Sequence, residues 1–458
     1  MVDVSGQSSS GIAPRVPFQA RAIMSQLQAA GFEAYVVGGC VRDALLGLEP
    51  HDWDMTTSAT PDEMKAAVGF HSIDTGLKHG TITFVVDHEP IEVTTFRTES
   101  GYSDGRHPDS IEFAATLEED LSRRDFTVNA MAWSGKTGVV DPFDGLADLQ
   151  NRMLRCVGDP GERFSEDGLR VMRALRFAAV YGFAVEENTA QAVHDKKGML
   201  SAVSGERICV ELLKMMKAPD GDHLASIVKQ FPDVMLEIMP ELGPTYGFDQ
   251  ECPCHDRDCW THMVDVMAYV EADPALRLAA LLHDIGKPSC KVVGVDGIAH
   301  YHGHPEAGAK IAAMLMRRLK FPRKLSEEVH FLIEQHDNWP SPTKRSARRF
   351  LARCGDEPRA RKLLALMRAD RLAHAPGWVE SKMEELDQFE TFLAAALEEK
   401  AAFTINDLEI GGSDLIDKGW VEGPDLGAEL QRLFDLVLSG DLPNDRDALL
   451  RAAGDFEA

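Results

Sequence analysis

Strand-forming segments are confined to the first third of this 458-residue chain, and that asymmetry constrains the fold more than any other feature. Over residues 18–30 apolar side chains recur at helical spacing until Gly31 breaks the pattern. Residues 34–37 read as a strand, Gly38-Gly39 as a turn, and the next segment as a helix through Leu46 that ends at Gly47. Further strands are expected at residues 81–86, 91–96 and 109–113, which makes a mixed α/β unit ending near residue 148. After Leu149 the strand signal disappears. Helical patterns then run from Gly161 onward, with Gly/Pro breaks near 218–222, 240–247, 286–305, 338–342 and 376–377.

A chain of this length exceeds one hydrophobic core, so several packed units are expected. Hydrophobic residues at 44% and charged residues at 27% supply ordinary globular cores. No apolar run is long enough to span a bilayer, and residues 1–14 lack the pattern of a signal peptide, so a cytoplasmic protein is expected. A net charge of −26 argues against indiscriminate coating of nucleic acid. Local basic runs remain, one holding Arg317, Arg318, Lys320, Arg323 and Lys324, another Lys344, Arg345, Arg348, Arg349 and Arg353. Either run reads equally well as a solvated helix face.

In His51-Asp52-Trp53-Asp54 two carboxylates stand two residues apart, which on an extended chain places them on one face. They can share hard divalent cations such as Mg²⁺, and two such ions can activate a hydroxyl and stabilise a leaving triphosphate. Glu92 is the first choice for a third acid because it lies on an expected neighbouring strand; Asp87 is the second. Upstream, Gly38 and Gly39 can bring backbone N–H groups close to phosphates, and Arg42 adds a cation one turn later. A lone Asp-x-Asp is more often a surface turn than a metal site. The glycine turn beside it shifts that balance.

Gly38-Gly-Cys-Val-Arg-Asp-Ala-Leu-Leu-Gly47, followed by Asp52-Trp-Asp54 and Thr56, resembles the signature of class II tRNA nucleotidyltransferases and the related bacterial poly(A) polymerases. Arg123-Arg-Asp-Phe-Thr-Val-Asn-Ala130 resembles the second motif of that family, and Asp141-Pro-Phe-Asp-Gly145 its hinge. In the second motif Asp125 can accept from a ribose hydroxyl, while Arg124 and Asn129 can position sugar or phosphate. Glu166-Asp-Gly-Leu-Arg170, continuing through Arg173 and Arg176, resembles the amino-acid template of the family. On a helix Asp167 and Arg170 would be i,i+3 neighbours, an acceptor beside a donor facing one base edge. Cytosine and adenine both match that order, so CTP and ATP are the expected substrates. Residues 102–109, with Arg106 and Asp109, resemble the loop the family needs for the final A.

His262, His283-Asp284, His304, His336 and Asp370 form the ordered set of an HD-type metal-binding domain, which resembles metal-dependent phosphohydrolases. The identity of its divalent metal is open. Cys252, Cys254, His255 and Cys259 lie close together, but the Cys-x-Cys spacing departs from the usual knuckle and favours free thiols, like the other cysteines.

The resemblance covers nearly the whole chain and implies an α+β fold. Its parts are a disordered stretch (1–14), a mixed-sheet, polymerase-β-like nucleotidyltransferase head (15–148), a helical neck (149–245), an HD-type helical domain (246–375) and a helical tail (376–458). It implies template-independent addition of C, C and A to the tRNA 3′ end, with CTP, ATP and Mg²⁺, and basic residues of later helices against the tRNA backbone. Two alternatives stay open: poly(A) or A-only synthesis, and an HD phosphohydrolase with an inactive head. Oligomeric state is not legible.

Overall fold

The structure is a computed structural model that describes residues 15–100, 110–114, 116–295, 297–398 and 404–454. The expected disorder over 1–14 and the loop motif with Arg106 and Asp109 lie outside the described residues. The chain divides into two compact units, Met1–Ile238 and Met239–Ala458.

The first unit opens with α1 (Phe18–Ala29), which buries Ala20, Ile23, Met24 and Leu27, the one-face spacing of an amphipathic helix. Next come β1 (Ala34–Val37), α2 (Gly39–Leu45), β2 (Asp54–Thr57), α3 (Pro61–Ala67), β3 (His71–Gly76), β4 (Thr81–Val86) and β5 (Glu89–Thr95). They are followed by β6 (Arg97–Ser100), β7 (Ser110–Phe113), α4 (Leu117–Ser122), β8 (Ala132–Ser134), β9 (Gly138–Val140) and α5 (Gly145–Gln150). Seven strands form one sheet in the order β3-β4-β5-β2-β1-β8-β9, and β6 pairs with β7 alone. The sheet is mixed because β2 and β5 run parallel while β1 pairs antiparallel with both β2 and β8. All four residues of β1 are buried, as its central place requires.

Strands β3, β6, β8 and β9 were not anticipated. β3 is an edge strand whose residues are mostly exposed, so it has no apolar alternation to read, and β8 and β9 have three residues each. The strand signal also does not end at Leu149: Met153–Leu154 pairs with Ala184–Val185, and Val292–Val293 with Ala299–His300. Pairs of two residues are too short for a periodicity.

The rest of the first unit is α6 (Pro160–Glu166), α7 (Leu169–Tyr181), α8 (Glu187–Lys196), α9 (Gly205–Met215), α10 (Gly221–Gln230) and α11 (Pro232–Ile238). Asp159 caps α6 by accepting from the Glu162 N–H, with Pro160 in the first turn.

The second unit contains α12 (Cys259–Tyr269), α13 (Pro274–Leu282), α14 (Lys287–Cys290), α15 (His304–Arg318), α16 (Arg323–Gln335), α17 (Lys344–Cys354) and α18 (Glu357–Leu372). Its tail adds α19 (Glu380–Glu398), α20 (Gly412–Asp417), α21 (Pro424–Ser439) and α22 (Arg446–Ala452). Helices α12 and α13 pack together and against α18, and α13 and α15 pack against α16. Leu415, Leu433, Phe434 and Leu449 centre a smaller apolar cluster in the tail. Among the described residues no helix is long and apolar enough to cross a membrane.

Candidate active site and metal centre

The parallel pairing of β2 and β5 sets Asp54 directly opposite Glu92, and Asp52 precedes β2 by two residues. Asp87 is excluded as the third acid by position. It sits with His88 in the β4–β5 turn, both at positive φ, five residues and roughly 15 Å of strand from Glu92. The Asp54 carboxyl is raised above its usual range by desolvation, against the pull of Arg124 and with repulsion from Glu92 and Asp52. Three acids offering only hard oxygen donors and repelling one another fit a divalent cation such as Mg²⁺. Their oxygens are less tightly gathered than the groups of the second unit.

Gly38 takes φ 84°, and a Cβ there would lie 2.6 Å from Arg124 Nη1. The glycine thus lets the turn before α2 close over Arg124, whose Nε is buried without a hydrogen-bond partner among the described residues. Arg42 has a different place from the expected phosphate cation. It is 4% exposed, donates to Asn129 Oδ1 at 2.5 Å and to the Tyr181 hydroxyl at 2.5 Å, and stacks 4.3 Å from the Tyr181 ring centre. Arg176 is likewise buried, paired with Glu211 and stacked 3.8 Å from the Phe177 ring centre. Both arginines brace α7 and do not face open space.

A cavity of about 280 Å³ is lined by Arg123, Arg124, Asp125, Asp167, Leu169, Arg170, Arg173 and Arg207. Asp125 is saturated: Oδ1 accepts from the Phe126 N–H and Asn129 Nδ2, and Oδ2 from two nitrogens of Arg173 at 2.7 and 2.5 Å. Burial opposes its ionisation, but Arg173 and Asn129 more than offset that and hold the carboxyl far below the usual range. Asp167 is not on the helix of Arg170. It occupies the break between α6 and α7 in extended conformation, because Gly168 packs against the Met199 backbone and only Arg170 is inside α7. The two side chains still reach the same cavity. Arg170 is held by Glu166, by the Arg163 carbonyl at 3.0 Å and by the Arg123 carbonyl at 3.2 Å. Arg207, which pairs with Asp167 at 2.6 Å, was not singled out from sequence; a single arginine in the first turn of a helix carries no signal.

In the second unit the six expected ligands converge. Asp284 Oδ2 lies 3.2 Å from His283 Nε2 and 3.6 Å from His262 Nε2, while Oδ1 lies 3.3 Å from His304 Nε2 and 3.7 Å from His336 Nε2. Asp370 Oδ1 closes the first group, 2.9 Å from His262 and 3.6 Å from His283. The Nδ1 atoms of His283, His304 and His336 lie 2.8, 2.8 and 2.6 Å from the carbonyls of Ala280, Tyr301 and Ile333. An Nδ1–H donated there leaves Nε2 as the inward lone pair, the tautomer a metal ligand needs. His304 Nε2 and His336 Nε2 are then 3.3 Å apart with no proton for both, and His283 Nε2 is buried without a well-directed hydrogen bond. The donor set fits divalent ions, with Asp284 able to bridge two.

Burial works against the Asp284 anion, yet His283 and Lys287 outweigh it and hold the carboxyl well below its usual range. With no ion bound, burial disfavours the His283 cation but Asp284 and Asp370 push it up to about 10, so its Nε2 carries a proton that a divalent ion would have to displace before the lone pair could serve as a ligand. Two neighbours escaped the sequence reading: His374 lies 3.4 Å from Asp370, and Lys287 donates to Asp284 at 2.7 Å. His255, grouped in sequence with the nearby cysteines, instead meets Lys287 at 3.3 Å. An i,i+4 pairing with Asp370 could have flagged His374. Cys252 and Cys254 are disulfide-bonded, contrary to the free thiols expected, because the Cys-x-Cys turn sets their Cα atoms 5.4 Å apart, within disulfide range. The other six cysteines are free, and Cys259 is buried under the Asp284 backbone.

Residues 34–155 match the poly(A) polymerase head domain family, residues 182–227 a probable RNA and SrmB-binding site of polymerase A, and residues 260–375 the HD domain family. A CCA-adding enzyme of Lactobacillus helveticus is 34% identical, covering 97% of this chain and 98% of its own. One from Levilactobacillus brevis is 35% identical, over 95% and 97%. The crystal structure of the Bacillus stearothermophilus CCA-adding enzyme in complex with CTP superposes with a TM-score of 0.69 at 28% identity, covering 96% of this chain and 98% of that one. With a matching head, a matching HD domain and full-length relatives of one kind, the chain belongs to the family of CCA-adding enzymes.

Proposed function

We propose that this protein adds C, C and A to the 3′ end of tRNA without a nucleic-acid template, taking CTP twice and ATP once. The observation that carries this reading is the common cavity of Asp125, Asp167, Arg170 and Arg173, which offers a carboxylate acceptor and a guanidinium donor to a base. Cytosine and adenine each present an amino donor beside a ring-nitrogen acceptor; guanine and uracil present the reverse order. A mismatched base leaves the protein's own polar groups unpaired, which costs several kcal/mol.

Asp52, Asp54 and Glu92 would hold Mg²⁺, which when bound supplies positive charge for the triphosphate and lowers the pKa of the attacking hydroxyl. Arg124, beside Asp54, offers a fixed cation to the same triphosphate. A ribose hydroxyl can reach Asp125 by displacing Arg173, which accounts for a preference for ribonucleotides. Incubating the protein with tRNA lacking CCA and each NTP separately tests the reading. CMP incorporation with CTP alone, and one further AMP when ATP is supplied with it, supports it; long A tails or AMP alone would assign the chain to poly(A) or A-only synthesis, and no incorporation at all to a phosphohydrolase with an inactive head.

A second activity is proposed for the second unit. Asp284, set between two histidine pairs, favours phosphoester hydrolysis with a pair of divalent ions, on 2′,3′-cyclic or terminal phosphates. Opening of a 2′,3′-cyclic phosphate to its monoester, or release of inorganic phosphate from a terminal one, by wild type but not by Asp284→Asn, with CMP incorporation equal in the two, is the expected result.

A further inference from the structure

The template carboxylate of the cavity does not stand alone. Asp167 Oδ1 accepts from the Leu169 N–H at 3.0 Å, which ties it to the start of α7, and Oδ2 accepts from Arg207 Nη2 at 2.6 Å. Arg207 comes from the first turn of α9, forty residues later, and among the described residues its guanidinium has no other hydrogen-bond partner. It lines the same cavity as Asp125, Arg170 and Arg173. Gly168 completes the arrangement, since a Cβ there would lie 2.8 Å from the Met199 carbonyl oxygen and push Asp167 away. Each Asp167 oxygen therefore spends one lone pair on the protein and keeps one.

We propose that Arg207 is the positioning residue for base choice. By donating to Asp167 Oδ2 it fixes the plane of the carboxylate, so that the lone pairs Asp167 keeps are held in one direction. This deepens, and rests on, the reading that Asp167 and Arg170 select CTP and ATP. A carboxylate free to rotate could turn to accept from the ring N–H of uracil or guanine, and the distinction between bases would blur. Arg170 is fixed in a complementary way. Glu166 and two backbone carbonyls occupy three of its five N–H groups, and two remain for the base. One cation pins the acceptor, and a carboxylate with two carbonyls pins the donor.

The test is competition between CTP and UTP, on tRNA lacking CCA, with wild type, Arg207→Ala, Arg207→Lys, Asp167→Ala and the Arg207→Ala/Asp167→Ala double variant. Expected is a fall of about tenfold in the CTP-over-UTP ratio of kcat/KM for Arg207→Ala, with most of the loss in KM for CTP. Arg207→Lys restores part of the ratio, because an ammonium supplies the charge without the planar fork. In the Asp167→Ala background, removing Arg207 changes the ratio no further. An unchanged ratio in Arg207→Ala, an equal fall for both nucleotides, or additive effects in the double variant would each overturn the proposal. If Arg207→Ala does not fold, Arg207→Lys decides alone: a wild-type ratio then refutes it. Failure of wild type to incorporate CMP at all would instead refute the underlying function.

Discussion

Asp54 and Glu92 are register partners across the parallel pair β2–β5, so the two acids meet through the sheet and not through any nearness in sequence. Asp54 is raised by desolvation and by its acidic neighbours, which means the protein holds the cluster at a cost in the absence of a counter-cation. Replacing Asp54 by Ala should reduce CMP incorporation by about a hundredfold or more while leaving the thermal midpoint equal to or above that of wild type. Glu92→Gln should show the same pattern with a smaller loss. Primer-extension rates read beside thermal melts check both, and a lowered midpoint in Asp54→Ala would show that the carboxylate is structural.

Asp125 contributes stability that depends on pH. Its folded carboxyl lies far below the unfolded range despite burial, because Arg173 and Asn129 bind its anion. A depressed folded pKa gives stabilisation that is complete above the unfolded value of about 3.9 and is lost as pH falls below it. Asp125→Asn should cost about 3 kcal/mol at neutral pH, since Arg173 is left without its partner, and this difference should shrink between about pH 4 and pH 2. Urea titrations at a series of pH values measure it. A constant difference across that window would contradict the assignment.

How much of this was legible in the sequence depends on what each residue's partners are. Asp52, Asp54 and Glu92 could be read because β-strand periodicity alone places them on one face or on adjacent strands. The convergence of the six candidate ligands of the second unit could be read because their order and types are restrictive. Arg42 and Arg176 carry the motif but not the expected placement: a motif names a residue, whereas only tertiary packing shows that Tyr181, Phe177 and Glu211 enclose it. Arg207 was invisible because its significance lies in Asp167, 40 residues upstream, and no periodicity links a helix break to another helix. The strand β3 was missed for the opposite reason, having almost no buried side chain to signal it.

Metal should stabilise the second unit. The inward Nε2 atoms of His283, His304 and His336, with Asp284 between them, form a preassembled site, so a divalent ion binds the folded state and not the unfolded one. At free metal one hundred times the dissociation constant, the expected gain is about 2.7 kcal/mol. Thermal melts with EDTA and with Mn²⁺, Co²⁺ or Zn²⁺ added back should show the difference. In Asp284→Asn the gain should largely vanish. A melt indifferent to all three ions would argue for a retained fold without a metal.

Gly286 supports that site through backbone packing. Built on its backbone, a Cβ would lie 2.2 Å from the His304 carbonyl oxygen and 2.6 Å from the Gly308 nitrogen, both inflexible atoms at the start of α15. The residue therefore sets how closely the loop carrying His283 and Asp284 approaches the helix carrying His304. Gly286→Ala must move one of them. The strain should destabilise the protein by about 1–3 kcal/mol and separate His304 from Asp284 Oδ1, which now lie 3.3 Å apart. Because the head belongs to the other compact unit, CMP incorporation at a temperature where the variant is folded should stay near wild type, while metal-dependent stabilisation falls. Measuring both on one preparation separates loss of the site from loss of the fold, and intact metal stabilisation in Gly286→Ala would show that α15 yields without disturbing its ligand.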